Sequence, residues 1–218
     1  MPHTEILDQR RQSLLPLIAQ AGQNFYLAGG TALALQLGHR DSIDFDFFAA
    51  RDIDTASLWQ HIAEIFIGHN LLKTQDEKNT LSLIIDGEVR LSFFGYHYQL
   101  LEPTIPVSGL ELASVLDIGC MKLSAITGRA TQKDYVDLYF ILKQTSLTAL
   151  LDACSRKFPT LDEALILKSL VYFDDIETEP IRFMPGFVVD LSEIETHLTM
   201  VVKEHLKSHN TPFAEGVM

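Results

Sequence analysis

The sequence predicts an α/β (α+β) chain in two halves: a mixed sheet-and-helix half of about 105 residues, then a mainly helical half. Three observations predict it. Short strand-like apolar runs alternate with helical patterns up to about residue 100. Pro103 and Pro106 then punctuate a linker. Beyond about residue 110 the periodic segments carry the 3.6-residue spacing of helices. The expected division is therefore 1–105 and 106–218, the second half completing a cleft on the first.

Each element has its own signal. Residues 4–20 place Ile6, Leu14, Leu15, Leu17 and Ile18 against Asp8, Arg10 and Arg11, the pattern of an amphipathic helix. Residues 24–28 are a short apolar strand, Gly29-Gly30 breaks it, and residues 31–37 continue as a helix. Residues 42–48 read as a strand, and residues 54–66 as a helix with Asp54 or Thr55 as its cap. The runs 80–85 and 88–94 flank Asp86-Gly87, a strong hairpin signal. Helices are expected over 112–126, 132–143, 147–158, 161–172 and 192–207, with an acidic, irregular segment at 174–185.

Composition narrows the function classes. Of 218 residues, 47% are apolar and 21% charged, an ordinary globular balance. Lys and Arg number 17 against 29 Asp and Glu, a net charge of -12, which excludes a protein that coats nucleic acid by bulk charge. The charge is uneven, however: residues 121–157 hold six basic and three acidic side chains, a net +3 that allows a focused phosphate contact. Cys120 and Cys154 have neither zinc-ribbon nor disulfide-scaffold spacing. No run reaches the roughly 18 apolar residues of a membrane helix, and the first residues lack a signal-peptide core. The expectation is a cytoplasmic protein with no membrane partner.

Three groups of residues can carry chemistry. Ala28-Gly29-Gly30-Thr31 joins a strand to a helix; it is either a plain turn or a place where helix N–H groups meet an anion. In Arg40-Asp41-Ser42-Ile43-Asp44-Phe45-Asp46, alternation puts Asp44 and Asp46 on one face, with Cα atoms roughly 6.6 Å apart. Such a pair is either a solvent-facing strand edge or a site for a hard cation that prefers oxygen ligands. Lys122 lies in an apolar helix, where it either snorkels to water or reaches a phosphate. Nearby, Thr131 and Asp134 fit a capping pattern, and Lys133 and Asp137 fit a surface pair.

Together these motifs resemble the AbiEii/AbiGii toxin family of nucleotidyltransferase-like proteins, within the DNA polymerase β-type superfamily. The resemblance rests on Leu27-Ala28-Gly29-Gly30-Thr31, Arg40, Ser42-Ile43-Asp44-Phe45-Asp46, Ser92-Phe93-Phe94, Met121-Lys122-Leu123, Arg129 and Lys133-Asp134-Tyr135-Val136-Asp137, and spans roughly residues 10–185. It implies a polymerase β-type core with a mixed sheet followed by helices. It also implies transfer of a nucleoside monophosphate from an NTP to a hydroxyl, on an RNA or tRNA end or a protein, by the toxin of a pair with a cognate antitoxin. By the same resemblance, Gly29, Gly30, Thr31, Arg40, Ser42, Lys122 and Lys133 bind the nucleotide. Asp44 and Asp46 hold Mg²⁺ (or Mn²⁺), and Lys122 and Asp134 join them in catalysis, Asp134 as a proton acceptor.

One position departs from the superfamily pattern. A third carboxylate usually stands on a later strand, and here that place falls to Ser92, a poor base and a weak cation ligand. Glu88 is the nearest substitute on that strand, beyond Arg90. Two other readings therefore stand beside the toxin: a catalytically weak nucleotide-binding or partner-docking protein, and a transferase acting on a small molecule such as an antibiotic.

Overall fold

A computed structural model describes residues 2–209. A single seven-stranded mixed sheet organises the chain. Its strands are β1 (Tyr26–Ala28), β2 (Asp44–Ala49), β3 (Leu71–Glu77), β4 (Thr80–Ile85), β5 (Val89–Gly95), β6 (Ile105–Val107) and β7 (Leu110–Leu112), in the order β3-β4-β5-β2-β1-β7-β6. The pairs β2–β5 and β1–β7 are parallel; the remaining neighbours are antiparallel.

Helices α1 (Gln9–Ala21), α2 (Gly29–Leu37) and α3 (Thr55–Ile65) belong to the first half. Asp8 caps α1, and Asp54 caps α3 by accepting the N–H groups of Ala56 and Ser57. The expected hairpin is present: Glu88 N–H donates to the Ile85 carbonyl at 3.1 Å, and the residues between them, Asp86 and Gly87, both take positive φ, at 51° and 77°, as a turn matching strand twist requires. The second half supplies α4 (Val115–Ile126), α5 (Gln132–Leu142), α6 (Leu147–Lys157), α7 (Glu163–Leu170) and α8 (Leu191–His209).

Three features differ from the sequence expectation. The first helix starts at Gln9, after a short 3₁₀ turn at Thr4–Ile6. Strand β3 lies where no element was expected, because it is a polar, exposed edge without an apolar face to read. Finally, the expected boundary at residue 105 falls inside β6. Strands β6 and β7 extend the sheet beyond it, β7 pairing with β1 at Leu27↔Leu112, and one apolar core runs from Ile6 to Val202.

The irregular segment after α7 is tied at both ends of a cleft between the sheet and α4. Asp41 N–H donates to the Arg182 carbonyl at 2.9 Å and Met184 N–H to the His39 carbonyl at 3.1 Å. Near its start, Glu177 N–H donates to the Ala130 carbonyl at 2.7 Å. The strap thus bridges the loop before β2 to the turn between α4 and α5. No helix among the described residues is long and apolar enough to cross a membrane.

Candidate active site

Register places the acidic pair. Within β2, Phe45 and Phe47 point into the core while Asp44 and Asp46 point into the cleft. Ala28 of β1 and Ser92 of β5 stand on either side of Asp46. The chain leaves β1 at Gly29, whose φ of +68° favours glycine, and a Cβ there would come to 3.0 Å from Asp46 Oδ2. No side chain caps α2, so its first N–H groups remain available to an anion beside the two carboxylates.

Gly30 has a different constraint. A Cβ there would collide with the Arg40 guanidinium, which packs against the turn. Arg40 does not face solvent: its Nε and Nη2 donate to the two oxygens of Asp137, each at 2.8 Å. His39 Nε2 also meets Asp137, at 2.8 Å, and Lys122 Nζ lies 2.6 Å from it. Asp137 is 0% exposed. Burial alone would raise its carboxyl, but Lys122, Arg40 and the His39 hydrogen bond hold it well below the ordinary range. For His39, burial outweighs the Asp137 hydrogen bond and lowers the imidazole.

Asp134 is the second anchor. It accepts from Lys122 Nζ at 2.7 Å, Arg129 Nε at 3.0 Å and Thr131 Oγ1 at 2.7 Å. Burial pushes this carboxyl up, yet Lys122 and Thr131 outweigh it and hold it below its usual value. The carboxylate thus gathers donors from α4, from the turn after it and from the start of α5. Lys122 in turn is 7% exposed and does not snorkel; burial lowers its ammonium, and Asp137 and Asp134 more than restore it. The expected Lys133–Asp137 surface pair is absent: Lys133 instead meets Glu179 of the strap at 2.5 Å.

The cleft has a volume of about 1110 Å³. It gathers Gly29, Gly30, Arg40, Ser42, Asp44, Asp46, Lys122, Lys133 and Asp134. Thr31 alone of the sequence candidates does not line it. Its hydroxyl is buried, donating to the Asp44 carbonyl and lying 2.8 Å from Ser42 Oγ, so it braces the start of β2. Ser92 pairs with Asp46 in register and shares a 3.2 Å hydrogen bond with Ser82, while Glu88 is exposed at the hairpin end. Neither sets a third carboxylate beside Asp44 and Asp46, and among the described residues no cluster of three His, Cys, Asp or Glu is assembled for a metal.

Several cleft residues escaped the sequence reading. Arg182 comes from the irregular strap, which gave no signal. Phe48 and Phe94 were legible in principle, because alternation carries them onto the same face as Asp46 and Ser92. Asp46 has a further property no motif reveals: burial, then the Asp44 charge, raises its pKa from 3.8 to about 6.

The chain that builds this cleft matches the model of a known family. The family model for the nucleotidyltransferase AbiEii toxins of type IV toxin–antitoxin systems matches residues 17–203. The chain belongs to the AbiEii family. The match runs from α1 to α8 and takes in the whole cleft. As a member of that family the protein is a nucleotidyltransferase. An uncharacterized protein of Aquifex aeolicus is 34% identical over 210 residues, covering 93% of this chain and 98% of that one. Two solved structures share the AbiEii-family fold. MenT4, a nucleotidyltransferase toxin from Mycobacterium tuberculosis, superposes with a TM-score of 0.63 at 17% identity over 88% of this chain and 80% of its own. JHP933 from Helicobacter pylori gives 0.54 at 16% identity, covering 96% and 97%.

Proposed function

We propose that this protein moves a nucleoside monophosphate from an NTP to a hydroxyl acceptor, an RNA or tRNA end or a protein, releasing pyrophosphate, and that it is the toxin of a pair with a cognate antitoxin. One observation carries the reading. The open N-terminus of α2, the Asp44/Asp46 pair and the Lys122–Asp134 ion pair all border one cleft.

Asp44 and Asp46 suit Mg²⁺ or Mn²⁺. They supply only oxygen donors, and Asp46 is raised to about 6 in a setting that a divalent cation would relieve. Bound there, the ion would neutralise charge on the phosphates and polarise the reacting phosphorus centre. The chain's own residues do the rest. Gly29 and Gly30 let the backbone approach the triphosphate. Arg129, 63% exposed along its side chain while its Nε is fixed on Asp134, offers the rest of its guanidinium to phosphate. Lys122 and Arg40 are pinned by Asp137, so the donors behind the turn are set in place before substrate arrives, which is preorganisation.

The experiment is incubation with each labelled NTP, Mg²⁺ and total tRNA, comparing wild type with Asp46→Ala. Label moved by wild type and not by the variant is expected. Nucleotide binding without transfer to any acceptor would instead favour the second reading, a nucleotide-binding protein of little or no turnover, for which Ser92 beside Asp46 is the supporting observation.

A further inference from the structure

The acidic floor of the cleft gives way to an aromatic end. One same-face step beyond Asp46 on β2 is Phe48, and one step beyond Ser92 on β5 is Phe94; these two pair across the strands. Their rings stack with centroids 5.0 Å apart and planes at 27°. Tyr96 stands edge-on to Phe48 at 5.3 Å, and all three rings line the cleft. On the opposite strand face, Phe45, Phe47 and Phe93 are at most 1% exposed, as core aromatics should be. Phe48, Phe94 and Tyr96 are only half-buried. From α4 the same cleft is lined by Ile118, Met121 and Ala125, at the i, i+3, i+7 spacing of one helix face, beside Lys122 and Ser124.

A cleft end lined by aromatic rings and by apolar side chains of α4 lies roughly 6.6 Å along the strand from Asp46, one of a carboxylate pair suited to phosphate-bound metal. A triphosphate alone has no use for it. A nucleotide does, since it joins a charged end to a flat ring with two apolar faces. We propose that Phe48, Phe94 and Tyr96 form a shelf on which a nucleobase stacks. The shelf is rigid: Phe48 is stacked between Tyr26 at 5.9 Å and Phe94 at 5.0 Å, which leaves Phe94 and Tyr96 to meet the base, and Phe158 meets Tyr96 edge-on at 6.5 Å. Stacking is tolerant of base identity because every base has a π face, so the shelf selects for a nucleobase and leaves the choice among bases to other contacts.

The inference rests on the nucleotidyl-transfer reading, and the base has two sources, the donor NTP or the end of an RNA acceptor. Binding without turnover tests it. Calorimetry in Mg²⁺ compares each NTP, inorganic triphosphate and a short single-stranded ribo-oligonucleotide on wild type, Phe94→Leu and Phe94→Trp. If the donor base stacks, Phe94→Leu weakens NTP binding about tenfold, leaves inorganic triphosphate unchanged, and Phe94→Trp restores the NTP. If the acceptor base stacks, the same loss and rescue fall on the oligonucleotide while NTP binding holds. Wild-type affinities for both in Phe94→Leu overturn the shelf. Should Phe94→Leu also lose triphosphate, its cleft is damaged and Phe94→Trp decides: no restoration overturns the shelf. A wild type that binds triphosphate as well as any NTP, and no oligonucleotide, overturns the shelf while phosphate capture survives. Nucleotide binding by wild type without transfer to any acceptor overturns the transfer reading instead.

Discussion

Burial and the adjacent Asp44 charge both oppose ionisation of Asp46, whose pKa stands at about 6 against an ordinary 3.8. Between those values the folded protein holds a proton that the unfolded chain gives up, so stability falls as pH rises through that window and the full penalty applies above it. Asp46→Asn removes the penalty. It should raise stability at pH 8 by about 3 kcal/mol, a melting-temperature gain of several degrees, and change little at pH 4. Mg²⁺ should raise the melting temperature of wild type at pH 8 and leave that of Asp46→Asn unmoved, because only a ligand of the folded state stabilises it. Equal Mg²⁺ response in both proteins would remove Asp46 from the metal site. Asp137 has the opposite sign. Its carboxyl is held well below the ordinary range, so its contribution is present at neutral pH and is lost on acidification through that lowered value. Replacing it leaves Lys122 and Arg40 buried without their counter-charge, and Asp137→Asn should cost about 3–5 kcal/mol in urea unfolding at pH 7. A loss below about 1 kcal/mol, the scale of a surface pair, would refute the hub.

The elements differ in how plainly their sequences announce them. Hairpin β4–β5 was legible because Asp86-Gly87 is a turn chemistry between two alternating apolar runs, and α3 because Asp54 precedes an amphipathic helix. Strand β3 was not, since Lys73, Gln75, Asp76 and Glu77 are those of a solvated edge, and its pairing with β4 is a tertiary fact. The same division runs through the site. Asp44, Asp46 and the glycine turn are local patterns and were readable. The Arg40–Asp137 contact joins residues 97 apart, and Lys133 found Glu179 on a segment with no periodic signal. That strap supplies a prediction of its own. Glu179 occupies Lys133 at the cleft edge, so an incoming phosphate must compete with it. The pair is more than a third exposed, which limits its worth to about 0–1 kcal/mol. Glu179→Gln should therefore tighten inorganic triphosphate binding by no more than roughly fivefold at low salt, with the gain vanishing at high salt. Weaker binding in the variant would mean that Glu179 positions Lys133 for phosphate instead of occupying it.

At the scale of the whole molecule, the net charge of -12 and the cleft are compatible because the cleft's cations are local and fixed, with Arg40 and Lys122 held by Asp137 and Asp134 below the glycine turn. The fixing depends on both halves of the chain at once: Arg40 precedes β2, whereas Asp134 and Asp137 sit on α5. The sheet has the same dependence, since β7 completes it beside β1 from beyond residue 105. Asp117 adds a third tie, receiving Leu101 N–H at 3.0 Å and Lys157 Nζ at 2.7 Å, which clamps the linker onto α4 and α6. Two independently folding halves would leave each of these buried polar groups unmatched in the separated state, at a cost no single half can offset. The chain should thus unfold as one unit, and its one tryptophan makes the test simple. Trp59 lies on α3 in the first half, whereas most helical residues lie in α4 to α8 of the second. Tryptophan fluorescence and far-ultraviolet circular dichroism therefore report mainly on different halves, and their urea transitions should coincide in midpoint and slope. A fluorescence transition that precedes or follows the loss of helix would mean that residues 1–105 and 106–218 are separate folding units, and that the cleft is assembled by docking.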